Sequence, residues 1–82
     1  MTRSDREDLS RQQEALAGAR ADLAAALDDL STEAHTAARA ARSKRGQPDL
    51  PAVHAAARAV ERAEEAVDLA ALDVRTAAGE DA

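Results

Sequence analysis

The stretch GQPDLP, from Gly46 to Pro51, interrupts a chain that is otherwise rich in alanine and leucine. Gly46 can supply the left-handed residue that closes a helix, and the residue before a proline is biased away from helical geometry. Asp49 has a typical N-cap side chain, and a proline is tolerated at Pro51 because backbone N–H groups in a first turn lack partners. The stretch therefore predicts the end of one helix and the start of another.

Heptad repeats on either side of this stretch predict two long helices that pack together. Apolar residues recur with a three–four alternation, which is typical of a coiled-coil seam. In the first helix the predicted seam is Leu9, Leu16, Leu23, Leu27, Leu30, Ala34, Ala37 and Ala41. In the second helix it is Val53, Ala56, Val60, Ala63, Val67, Ala70, Val74 and Ala77. Because a short connection makes long helices antiparallel, the sequence predicts an all-α, antiparallel two-helix hairpin that associates into a helical bundle.

The predicted bounds follow from the repeats and from residues that start or stop helices. We expect a tail at 1–4, helix 1 at 5–45, a turn at 46–49, helix 2 at 50–78 and a tail at 79–82, all in one domain. Ser4 and Glu7 have the spacing of a capping box at the start of helix 1. Gly79 is expected to end helix 2 in the way that Gly46 ends helix 1.

One segment of helix 1 is a poor helix former. Ser31 to Thr36 contains Ser, Thr and His, and Ser31 or Thr32 could cap a new helix there. The seam runs through this segment without interruption, which favours one continuous helix over a break.

The two repeats can be aligned so that apolar residues meet across the hairpin. In this register Leu30 faces Val67, Leu27 faces Ala70 and Leu23 faces Val74. Leu16 then faces Asp81 and Leu9 faces nothing, since helix 1 is longer than helix 2. Leu9 and Leu16 are accordingly predicted to bind a second chain; the alternative is a frayed, charged helix end.

Two further features suggest partner binding. Leu69 and Leu72 fall off the seam on the outer face of helix 2, where they either anchor another protein or are ordinary exposed leucines. Alanines flank both seams, at positions where two-stranded coiled coils usually carry charge. They form an apolar face that suits three or more helices, although alanine also serves helix propensity alone.

The composition argues against several classes of function. The chain has no aromatic residue and no cysteine, so it lacks stacking platforms, disulfides and thiolate ligands. Catalysis needs a concave pocket with positioned groups, and a two-helix hairpin has almost no concavity. We therefore predict that the protein is not an enzyme and has no cofactor, metal or small-molecule substrate.

The segment RAARSKR, from Arg39 to Arg45, is a candidate for electrostatic docking. Its cations are Arg39, Arg42, Lys44 and Arg45. They could contact phosphate, dock on an acidic protein surface, or simply complement the dipole at a helix C-terminus. The net charge of −5 disfavours nucleic acid as a partner, so a small nucleic-acid-associated regulator is the alternative function.

The remaining predictions concern location and partner. The charged start MTRSDREDLS has no apolar core of a signal peptide, and no run is long enough to span a bilayer. We expect a protein of the cytoplasm or of an intracellularly assembled particle. The predicted function is a non-enzymatic interaction or structural subunit that binds through its Leu, Ala and Val helix faces. The expected partner is a second copy of the chain, in a homodimer, or else another protein.

Overall fold

The computed structural model describes residues 2–79 as two helices packed against each other, α1 (Arg3–Arg42) and α2 (Leu50–Ala77). Residues 43–49 connect them, and no strand occurs within the described range. The molecule measures 65 × 18 × 13 Å, which is the shape of two helices lying side by side. The predicted fold class, an all-α helical hairpin, is confirmed.

The first helix begins at Arg3, two residues earlier than predicted, because Thr2 rather than Ser4 caps it. The Thr2 hydroxyl accepts a hydrogen bond from the Asp5 backbone N–H at 3.2 Å, and the Asp5 carboxylate accepts one from the Thr2 N–H at 3.1 Å. This reciprocal pair is a capping box. The hydrogen bonds from the Thr2 backbone and side chain hold the pKa of Asp5 below its ordinary value, because they favour the charged carboxylate.

The first helix ends at Arg42, three residues before the predicted bound. Ser43 is extended, with φ −83° and ψ 138°, and its N–H donates to the carbonyls of Arg39 and Ala40, both at 3.2 Å. The prediction that Gly46 closes the helix in the left-handed conformation is wrong, since Gly79 is the one described residue with a positive φ. The chain has already left the helix when it reaches Gly46.

Gly46 is instead required by a close approach to the last turn of α1. A Cβ atom at this position would lie 2.9 Å from the Ala40 carbonyl oxygen and 3.2 Å from its Cα. Both are backbone atoms, which cannot move aside as a flexible side chain can. A side chain at residue 46 would therefore push the connection away from α1.

We expect Gly46→Ala to destabilise the protein by about 1–2 kcal/mol, because it forces this backbone contact apart. Gly18→Ala is the matched control: a Cβ atom on Gly18, inside α1, would enter open space, so alanine should stabilise the helix by about 0.5–1 kcal/mol. Urea unfolding followed by circular dichroism measures both. Equal gains in the two variants would contradict the close approach.

The start of α2 is as predicted. The Asp49 carboxylate accepts a hydrogen bond from the Ala52 N–H at 3.0 Å, and Pro51 lies in the first turn. At the other end Gly79, with φ 80°, follows the C-cap Ala78, which confirms its predicted role.

Asp49→Ala should cost about 1 kcal/mol of unfolding free energy, because the Ala52 N–H loses its acceptor. Asp49→Asn keeps an oxygen acceptor in the same place and should cost much less. The thermal midpoints of the two variants provide the comparison. A loss of the same size in both would mean that the charge of Asp49, and not its capping hydrogen bond, stabilises the turn.

The predicted seam of α2 is confirmed. All the predicted seam residues from Val53 to Ala77 are half-buried or buried, and Val60 is the least exposed of them, at 8%. Val60 is also the only described residue that is buried rather than half-buried or exposed. The core of the hairpin is therefore a thin line of contacts between two helices.

The predicted seam of α1 is partly wrong. Leu27 is 48% exposed, and Ala34 and Ala41 are exposed as well. The half-buried stripe instead runs through Leu9, Gln12, Leu16, Ala19, Leu23, Ala26, Leu30, Glu33, Ala37 and Ala40. The leucines at seven-residue spacing are in the seam as predicted, but the helix is turned so that the third residue after each of them, and not the fourth, faces α2.

Small side chains explain this rotation. Alanine in the seam, at Ala26 and Ala40, allows α1 to approach the alanines of α2 closely, whereas Leu27 in the seam would hold the helices further apart. The consequence is that Leu27 cannot pack against Ala70 as the predicted register requires. Leu23, Leu30, Val67 and Val74 are all half-buried.

No break occurs at Ser31 to Thr36, so the prediction of one continuous helix is confirmed. The Thr32 hydroxyl donates a hydrogen bond to the Asp28 carbonyl, one turn earlier, at 3.1 Å. Binding its own backbone in this way satisfies the hydroxyl without ending the helix.

Candidate functional site

The hairpin exposes far more surface than a compact protein of its mass. Its accessible surface is 6248 Å², whereas a globular monomer of 8.6 kDa exposes about 4,700 Å². Its radius of gyration is 18.6 Å, against about 12 Å for a compact chain of this length. The surplus area is roughly 1,500 Å², which exceeds the ~800 Å² that each partner buries in a standard protein–protein interface.

The amino-terminal part of α1 extends beyond the end of α2. The two helices have 40 and 28 residues, so about 18 Å of α1 has no counterpart in its antiparallel neighbour. Leu9 and Leu16 continue the seam stripe towards this end of α1 and are half-buried. The predicted contact of Leu16 with Asp81 lies outside the described residues.

Charged side chains stabilise this projecting part of α1. Arg3 pairs with Glu7 at 3.6 Å, and Arg11 pairs with Asp8 at 3.5 Å. Both pairs are exposed and join residues three or four apart on the helix surface, so each contributes only a few tenths of a kcal/mol. These pairs support helical geometry up to the first turn and involve neither Leu9 nor Leu16.

Four leucines are the large apolar side chains most exposed to solvent. Leu69 is 58% exposed and Leu72 is 42% exposed, which agrees with their predicted place on the outer face of α2. Sequence reasoning missed the other two, Leu27 at 48% and Leu50 at 51%. It assigned Leu27 to the seam, and it gave Leu50, the first residue of predicted helix 2, no role in binding.

Leu27 and Leu50 occupy equivalent positions beside the seam. Leu27 directly follows the seam residue Ala26, and Leu50 lies seven residues before Ala57, which directly follows the seam residue Ala56. In an antiparallel coiled coil, equivalent flanking positions of the two helices lie on the same side of the pair. We call this side the Leu27 face, and its apolar residues are Leu27, Ala34, Ala41, Leu50, Ala57 and Ala71.

The two sides of the hairpin differ through α1. On the opposite side, the residues of α1 that precede the seam are Asp22, Asp29 and Thr36, whereas those of α2 are largely alanine. On the Leu27 face, Ala34 and Ala41 are exposed along with Leu27, and Glu64 is the one carboxylate that interrupts the alanines of α2. The Leu27 face is therefore apolar on both helices over much of its length, while the other side carries carboxylates along α1.

The predicted docking cations are all accessible. Arg39, Arg42, Lys44 and Arg45 are exposed, and neither ion pair of the described residues involves them. Lys44 and Arg45 lie in the connection rather than in the last turn of α1, so the helix dipole accounts for only Arg39 and Arg42. The cluster is thus a free positive patch at the turn end of the molecule.

Charge is divided along the hairpin. The turn half, residues 34–60, carries five cations and one carboxylate. The open half, residues 20–33 and 61–79, carries three cations and nine carboxylates. The molecule therefore has a positive turn end and a negative open end.

Several kinds of site are not found among residues 2–79. The described side chains enclose no pocket and form no group of three or more potential metal ligands. His35 and His54 are both exposed. None of the described helices is long and apolar enough to cross a membrane.

The fold places the chain in the class of all-α helical hairpins, with two long helices and a short connection. None of the family models, curated proteins or solved structures compared with this sequence matches it. Its exposed surfaces are therefore the features from which a function can be proposed.

Proposed function

We propose that this protein is a non-enzymatic interaction or structural subunit, which packs its helices against another protein or against itself. One observation carries the proposal: Val60 is the single described residue that the hairpin buries, yet the hairpin exposes roughly 1,500 Å² more than a compact monomer. A helix pair with so thin a core gains stability when a further helix covers its apolar flank. We place this subunit in the cytoplasm or in an intracellularly assembled particle.

Partner capture from the source cells tests the proposal. The tagged chain is cross-linked in the cells, purified and analysed by mass spectrometry, beside two variants. We expect Leu9→Ser with Leu16→Ser to lose a specific partner, or copies of the chain itself, because these leucines continue the seam past α2. Leu69→Ser with Leu72→Ser tests the second predicted anchor in the same way. A wild-type chain that captures nothing, and that remains a folded, thermally stable monomer when pure, would contradict the proposal.

The alternative function is a small nucleic-acid-associated regulator, and the free positive patch at residues 39–45 is the observation in its favour. Four exposed cations without carboxylate partners can contact phosphates. The open half and the net charge of −5 oppose approach to a polyanion. We expect no mobility shift with DNA or RNA at low salt. Salt-sensitive binding that is lost on changing Arg39, Arg42 and Arg45 to Ala would make this function the better one.

A further inference from the structure

We infer that a second copy of this chain packs on the Leu27 face, in the antiparallel orientation, to form a four-helix bundle. This inference deepens the proposed function and rests on it. The face combines two exposed leucines with alanines on both helices, and its side of α1 lacks the carboxylates of the opposite flank.

The surface area fits an occupant of this size. A stable interface buries ~800 Å² on each partner, and the hairpin exposes about twice that amount beyond what a compact monomer of its mass exposes. A second hairpin supplies two further helices with the same apolar flank, so that both flanks are covered at once. The four-helix bundle is the usual closed form of such a pair.

Charge selects the second copy and its orientation. In a parallel pair, the turn halves with five cations each would lie side by side, and so would the open halves with nine carboxylates each. In an antiparallel pair that brings Leu27 to the second copy's Leu50, the cations Arg42, Lys44 and Arg45 of one copy lie at the level of residues 30–33 of the other, which belong to its negative open half. Complementary charge at both ends of the interface thus favours a two-fold, antiparallel arrangement.

The two exposed leucines suit this symmetry. Leu50 begins α2 at the turn, while Leu27 lies 15 residues before the end of α1, about 22 Å away along the helix. In a two-fold pair, a contact between Leu27 and the second copy's Leu50 occurs twice, because Leu50 also meets the second copy's Leu27. The two-fold axis then passes between Ala34 and Ala41, whose small side chains allow the two α1 helices to approach.

Sedimentation equilibrium of the full chain tests the inference from micromolar to near-millimolar concentration. We expect a mass of twice 8.6 kDa at the upper end. Leu27→Glu should raise the dissociation constant at least about tenfold, because each dimer loses two buried leucines and gains two desolvated carboxylates. Ala55→Glu is the control, because it adds the same charge at an exposed position of α2 outside the proposed binding surfaces, and it should change the dissociation constant less than about twofold.

Disulfide cross-linking tests the orientation. The sequence has no native cysteine, so only the introduced cysteines can form disulfides. A mixture of Leu27→Cys and Leu50→Cys chains should form mixed disulfide dimers faster than either variant alone. Faster cross-linking of each variant with itself would indicate a parallel pair and overturn the arrangement.

Two results would overturn the choice of occupant. One is a wild-type chain that stays monomeric at near-millimolar concentration, and the other is an equal loss of affinity in Ala55→Glu. If the wild-type chain is monomeric but captures a partner, and Leu27→Glu does not capture it, the face binds a different protein. The proposed function then stands and this inference fails. If neither self-association nor partner binding is detected, the proposed function and this inference both fail.

Discussion

Val60→Ala is expected to lower the unfolding free energy by about 2 kcal/mol, more than the truncation of any other valine in the chain. Two carbon atoms lose about 0.8 kcal/mol each of burial free energy, and the space they leave adds a further cost. Val60 is 8% exposed and is the one described residue that is buried. For a hairpin with so thin a core, a loss of this size is a large share of the total stability.

Val74→Ala is the matched control, because it removes the same two carbon atoms from the same stripe of α2. Val74 is only half-buried, near the open end of the hairpin, and should lose clearly less than Val60. Urea unfolding of wild type and both variants at one protein concentration gives the comparison. A greater loss for Val74→Ala would mean that the open end contributes more to stability than the region around Val60, which would contradict the burial pattern.

The location of Val60 has a physical reason. The seam near the turn consists largely of alanine, with Ala37 and Ala40 on α1 and Ala56 and Ala63 on α2. Small side chains allow two helices to approach closely, and the larger valine between them is then covered on all sides. Towards the open end the seam of α1 carries the larger residues Leu23 and Leu30, and Val67 and Val74 are half-buried there.

The parts of the fold that local chemistry determines could be predicted from the sequence. Asp49 caps α2 and Gly79 follows its end in the left-handed conformation, because each role requires a particular side chain or its absence. The seam of α2 was also predictable, since valine and alanine alternate there without a competing choice. These residues define the second half of the hairpin.

The end of α1 could not be predicted in this way. Gly46 has the composition of a helix stop, but the chain leaves the helix at Ser43, and the glycine serves a close approach to Ala40 instead. The sequence shows that a glycine is present. It does not show whether the fold uses the ability of glycine to adopt a positive φ or its lack of a Cβ atom. The choice depends on how the connection crosses the end of α1, which is a tertiary matter.

The candidate surface was missed for a related reason. After the seam residue Leu23, both the third and the fourth residue are apolar, at Ala26 and Leu27, so hydrophobicity alone assigned the larger one to the seam. The packing of two alanine-rich helices favours the smaller residue there. Leu27 is consequently the most informative residue in the chain, because the rotation that removes it from the core places it on the apolar flank.

A pair of neighbouring substitutions should show this rotation directly. Ala26→Glu is expected to destabilise the monomer by about 2 kcal/mol, because the new side chain overfills the seam and brings a carboxylate between the helices. Leu27→Glu should change monomer stability by less than about 0.5 kcal/mol, although it removes a much larger apolar group, since Leu27 is 48% exposed. Glutamate is a good helix former, so helix propensity does not separate the two variants.

The measurement is urea unfolding at a concentration where sedimentation shows only monomer, so that loss of association does not contribute. Ala25→Glu, on an exposed position of the same turn, controls for the added charge beside Asp28 and Asp29. If Leu27→Glu costs more than Ala26→Glu, Leu27 packs against α2 and the Leu27 face does not exist. If Ala26→Glu alone is costly, the alanines hold the hairpin together, and the leucine beside them is free to bind a second chain.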